Sequence, residues 1–125
     1  MSAESISIIR LRDLLLVTVP SDPDDETVTA LQRKILGAME QNETKGLVLD
    51  ISTVQTLDSF FARVVAETVQ MAALMGSRTV VAGMRPSVAV TAIQLGLSVG
   101  TSLTALDVDR ALALLNPSTH GGPGS

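Results

Sequence analysis

Two short stretches decide most of what this chain can fold into: "GLVLDIS" at residues 46–52 and "SRTVVAG" at residues 77–83. Each is a run of apolar residues bounded by Gly and polar positions. Each is too short for a buried helix and lacks the alternation of a strand wetted on one face. Such runs suit strands covered on both faces. Between them, from about Asp58 to Met75, Phe61, Val64, Val65, Thr68 and Ala72 recur at helical spacing, and Gly76 stands where that helix should stop. A strand, a helix and a strand joined by a few residues imply a right-handed crossover and parallel pairing.

The rest of the chain follows the same alternation. "SISIIRLRDLLLVTVP" reads as two strands meeting near Arg12 and Asp13, with Pro20 ending the second. "SDPDDETVTALQRKILGAMEQNE" opens with acids, which the positive end of a helix dipole favours, and carries Val28, Leu31, Ile35 and Met39 on one stripe. "RPSVAVTAIQLG" puts Pro86 in a first helical turn and Gly96 at a stop, "TSLTAL" reads as an edge strand, and Asp107 starts a terminal helix in "DVDRALALLN". The predicted order is β, β, α, β, α, β, α, β, α. It describes one α/β domain with a mixed, mostly parallel sheet, an antiparallel N-terminal hairpin and about four α-helices. The domain is expected to span residues 1–116, and residues 117–125, rich in Gly, Pro and Ser with nothing to bury, to form a disordered tail.

Composition removes several function classes. With only two aromatics, Phe60 and Phe61, the core must be built from Leu, Val, Ile, Ala and Met. A net charge of −4 with no basic cluster argues against a nucleic-acid partner, whose binding depends on grouped Lys and Arg. The absence of Cys excludes disulfides and thiol chemistry. Apolar runs such as Leu14 to Val17 are far below a membrane span, and no secretory signal is visible, so a cytoplasmic protein without membrane contact is expected.

Catalytic and cofactor signals are equally thin. The single histidine, His120, lies in the tail, which disfavours a Ser/His/Asp triad or a histidine metal site. Glycine-rich phosphate loops are missing from the sequence. Asp22, Asp24, Asp25 and Glu26 lack the alternation of a calcium loop and read as a solvated helix start. Asp50 ends a buried strand, where ligands collect in open α/β sheets, but one carboxylate without a partner is weak grounds for a site. No enzyme activity, cofactor or metal is expected.

"LDSF" is the remaining feature, with Asp58 and Ser59 side by side where a strand gives way to a helix. Either residue serves as an N-cap, and one cap needs only one of them. The spare hydroxyl would lie exposed on the first turn, where a phosphate meets free N–H groups and the positive end of the dipole. Capping alone and reversible phosphorylation both fit the pair.

"GLVLDIS", "LDSF", "LMGSRTVVAGMRPSVAVTAIQLG" and "ALD" also arrive in an order that resembles STAS domains, over about Ile6 to Leu115, and more narrowly the RsbS-like stressosome scaffolds. The resemblance implies helices packed mainly on one face of the sheet and a non-enzymatic regulator that forms homo- and hetero-oligomers. It implies co-assembly with RsbR-like STAS paralogues, sequestration of an RsbT-like serine/threonine kinase that leaves on phosphorylating the scaffold, and resetting by an RsbX-like phosphatase. Carried onto this chain, the phosphoacceptor is Ser59, preceded by Asp58, while Thr91 aligns with a second acceptor of the RsbR paralogues on which simple scaffolds are not expected to depend. Phe60 and Phe61 replace the small residues usual in anti-sigma-factor antagonists. An antagonist that binds an anti-sigma kinase directly is thereby disfavoured but stays as an alternative, as does a ligand-binding or transport-accessory STAS domain.

Overall fold

The computed structural model describes residues 6–96 and 103–115. The elements follow the predicted order: β1 (Ser7–Leu11), β2 (Leu14–Thr18), α1 (Asp25–Gln41), β3 (Gly46–Asp50), α2 (Ser59–Leu74), β4 (Arg78–Ala82), α3 (Pro86–Gln94), β5 (Leu103–Ala105) and α4 (Val108–Leu115). The five strands form one sheet in the order β1-β2-β3-β4-β5. β1 and β2 pair antiparallel through a two-residue turn in which Arg12 holds a φ of +60°, and every later pair is parallel. The expected tail at 117–125, with His120, lies outside the described residues.

The strand order explains where the helices sit. Each parallel crossover steps in the same direction across the sheet, and right-handed crossovers then deliver α1, α2 and α3 to the same face. Alternation along the strands matches this. Leu15, Val17, Leu47, Leu49 and Val81 pack with Val28, Ile35, Phe61, Val64 and Val88 in the main core. The intervening Val48, Val80 and Ala82 face the other way, against Ala111 and Leu115 of α4. α4 follows β5, has no crossover to complete, and among the described residues is the helix that packs on that second face.

Local signals place the helix ends. The carboxylate of Asp24 accepts a hydrogen bond from the Thr27 N–H at 2.8 Å and caps α1. Gly76, at φ +89°, turns the chain out of α2. α1 has no basic residue in its last turn. Arg10 reaches across from β1 instead, donating to the Ala38 carbonyl at 3.1 Å, to Thr44 Oγ1 at 3.0 Å and to the Glu43 carbonyl at 3.1 Å. A cation is favourable at this negative helix end, and the contact ties the hairpin to the end of α1 and the loop that follows it.

Candidate functional site

Parallel pairing gathers the carboxyl ends of β2 to β5 and the N-termini of the four helices at one edge of the sheet, and the candidate phosphoacceptor stands there. Asp58 is extended, with φ −100° and ψ 175°, and its carboxylate accepts from the Phe61 N–H at 2.8 Å. Asp58 is therefore the cap. Ser59, the first helical residue, is exposed, and its hydroxyl makes no hydrogen bond among the described residues. Leu57 and Phe61, on either side, are both buried and anchor the helix start.

The loop leading to Ser59 is held from beneath. The Asp50 carboxylate accepts from the Ser52 N–H at 3.0 Å, and the Val54 N–H donates to the Ile51 carbonyl at 3.0 Å. Gly83 passes directly against Ser52: a Cβ there would lie 2.7 Å from the Ser52 Cβ, and the residue's φ is +79°. Both the space and the backbone conformation require glycine. Arg85 completes the clasp, its Nε–H donating to the Ser52 carbonyl at 2.9 Å. In the sequence Gly83 closes the apolar run of a strand, within the segment that carries the family resemblance, and Arg85 precedes Pro86; neither position announces a contact with Ser52. The contact between the two loops becomes legible only once β3 and β4 are paired.

Beneath this edge lies a small cavity of about 20 Å³, bordered by Ile51, Val54, Leu57, Phe61, Met84 and Val88. All six are apolar, so the space suits neither water nor a polar ligand, and it is far below the ~300 Å³ of a small-molecule site. The Asp50 carboxylate is engaged in its own turn. Among the described residues no cluster of His, Cys, Asp or Glu is suited to hold a metal ion, and no helix is long and apolar enough to cross a membrane.

Two further side chains frame Ser59. The Arg63 guanidinium lies 5.6 Å from the centroid of the half-buried Phe60 ring. Arg63 is also four residues from Ser59, the spacing of neighbours on a helix surface. Thr91 is not part of this arrangement. It is half-buried in α3, and its hydroxyl donates to the Ser87 carbonyl one turn back at 3.1 Å.

The sequence profile of the STAS domain matches residues 5–111. The chain belongs to the STAS domain family. A serine-to-glutamate variant of RsbS from Moorella thermoacetica superposes with a TM-score of 0.83 at 29% identity, covering 94% of this chain and 99% of that one. A chain from the molecular architecture of the stressosome, described as a signal integration and transduction hub, gives a TM-score of 0.78 at 32% identity over 87% of this chain and 95% of its own. The RsbT co-antagonist protein RsbRB of Bacillus subtilis is 27% identical over 97 residues, which are 78% of this chain and 35% of that protein. This STAS domain thus spans about a third of the length of that curated relative and nearly all of the Moorella protein.

Proposed function

We propose that this STAS domain is a cytoplasmic, non-enzymatic stressosome scaffold that sequesters an RsbT-like serine/threonine kinase and releases it when Ser59 is phosphorylated. The observation that carries the reading is the division of labour at the start of α2. Asp58 takes the capping bond, and the neighbouring hydroxyl is left exposed in the first turn of the helix, behind a braced loop. The likeness to RsbS and to the stressosome supports the scaffold role. The relatives named as RsbT co-antagonists support an RsbT-like kinase and RsbR-like STAS paralogues as partners. An RsbX-like phosphatase would return the domain to its starting state.

Phosphorylation adds about −1.5 to −2 charges beside the Asp58 carboxylate. Within the domain, the N-terminal dipole of α2 tolerates that charge, so the fold survives. Across an interface shaped for a neutral hydroxyl, the charge must be desolvated or meet like charge, and a penalty of ~3 kcal/mol weakens kinase binding roughly a hundredfold. Release without unfolding is the signal. The test is titration of the cognate kinase with wild type, Ser59→Ala and Ser59→Asp. Ser59→Ala should bind as wild type does and Ser59→Asp about a hundredfold more weakly at unchanged thermal stability; equal binding of all three would refute the switch.

A further inference from the structure

The Asp58 cap leaves two side chains near the start of α2 without a role, Phe60 and Arg63. Arg63 is exposed, and among the described residues no carboxylate lies within ion-pair distance of it, although Glu67 stands one turn further along the same helix. Its guanidinium lies instead over the Phe60 ring, 5.6 Å from the centroid. Side chains of a helix lean towards its N-terminus, so a residue covers the surface of the turn before its own. For Arg63 that turn holds Ser59 and Phe60, four and three residues back. Phe60 is half-buried and packs against the main core, which fixes the ring. A cation resting on that ring is parked beside the Ser59 hydroxyl.

A phosphate on Ser59 would make this placement matter. The Asp58 carboxylate is committed to the Phe61 N–H, so the new charge arrives beside a fixed negative one. A guanidinium presents N–H donors in a planar fork that matches phosphate oxygens. The other charged groups around the helix start are less well placed. Arg85, on the adjoining loop, spends its Nε–H on the Ser52 carbonyl, and the Asp50 carboxylate accepts from the Ser52 N–H. Glu67 lies two turns from Ser59, beyond Arg63.

We propose that Arg63 is the phosphate-binding side chain of the Ser59-phosphorylated domain and that Phe60 is the residue that positions it. On phosphorylation the guanidinium turns from the ring to the phosphate oxygens one turn back along the helix and offsets their repulsion from Asp58. The helix start survives the modification. Phosphate and Asp58 together still outweigh the single cation, so net negative charge stays on show to a partner. The proposal rests on Ser59 being the acceptor.

The test installs phosphoserine at position 59 of the full chain during translation, so that no kinase is needed, and follows the phosphorus resonance across pH. The second ionisation of the phosphate, ordinarily near pH ~6, should have an acid constant about twofold larger with Arg63 present than in Arg63→Gln. Phe60→Leu should lose part of that difference, Phe60→Tyr should keep it, and added salt should shrink it. Circular dichroism and thermal melting of the unphosphorylated chains separate a local effect from misfolding, and Arg63, being exposed, keeps the test valid if substitution at Phe60 disturbs the core. Equal ionisation in the wild-type background and in Arg63→Gln overturns the proposal, as does a difference that is lost in Arg85→Gln and kept in Arg63→Gln. Equal ionisation in Phe60→Leu and wild type removes Phe60 as the positioning residue. Failure of the switch itself reads differently: a cognate kinase that labels another residue overturns both readings, whereas labelling of Ser59 with no effect of Arg63→Gln overturns the role of Arg63 alone.

Discussion

α2 and α3 both begin at the carboxyl edge of the sheet and each carries a hydroxyl that family resemblance marks as an acceptor, yet their starts are built differently. α2 has a carboxylate cap in Asp58, which satisfies a first-turn N–H and leaves Ser59 with nothing to do inside the fold. α3 starts at Pro86 behind Arg85, without a side-chain capping bond, and its Thr91 hydroxyl is already spent on the Ser87 carbonyl. The contrast teaches that an acceptor is defined by what its neighbours do. A hydroxyl becomes available for modification when an adjacent group takes over its structural role.

The sharpest way to break this comparison is labelling with the cognate kinase. Ser59→Ala should lose nearly all phosphate incorporation, whereas Thr91→Val should keep it; label mapping to Thr91 in the Ser59→Ala chain would reverse the assignment. Next comes the clasp that joins the two helix starts. Gly83→Ala forces a Cβ against Ser52 and a side chain into positive φ, at a combined cost on the order of 3 kcal/mol, read as a lower urea midpoint. Wild-type stability in that variant would show that the loops can part freely.

Smaller effects sharpen the picture at α2 itself. Asp58→Ala removes the cap and should lower stability by ~1 kcal/mol, whereas Asp58→Ser should keep most of it, measured by denaturant unfolding. If Asp58→Ala costs nothing, Ser59 has taken the cap, and the variant should also be a poorer kinase substrate. Arg63→Ala gives up an exposed contact with Phe60 worth about 0.5 kcal/mol. The loss should be larger in the phosphorylated protein, where Arg63 is within helical reach of the phosphate, and equal melting shifts in both states would remove Arg63 from the switch.

Much of the fold was open to reading because its signals are local. The doubly covered runs at Gly46–Asp50 and Arg78–Ala82, the stripe Val28, Leu31, Ile35 and Met39, and the stops at Gly76 and Gly96 each report a backbone period or a φ requirement within a few residues. The position of Asp58 and Ser59 at a helix start was legible for the same reason. The role of each was not, since either side chain can cap, and only the bond from Phe61 N–H decides between them. Gly83 against Ser52 and Arg10 on the end of α1 join segments about thirty residues apart in sequence, and no local pattern announces such meetings.

Periodicity, capping and crossover length act at short range, so the sequence carries the order and kind of the elements, the parallel sense of the sheet and the Asp-Ser pair at the start of α2. Tertiary structure alone decided that α4 crosses to the second face, that Gly83 and Arg85 brace the loop before Ser59, and that Ile9 and Leu11 are left uncovered. Those outcomes depend on how five strands step across one sheet. Three right-handed crossovers in one direction fill one face, and the final helix, free of that constraint, goes where apolar surface remains.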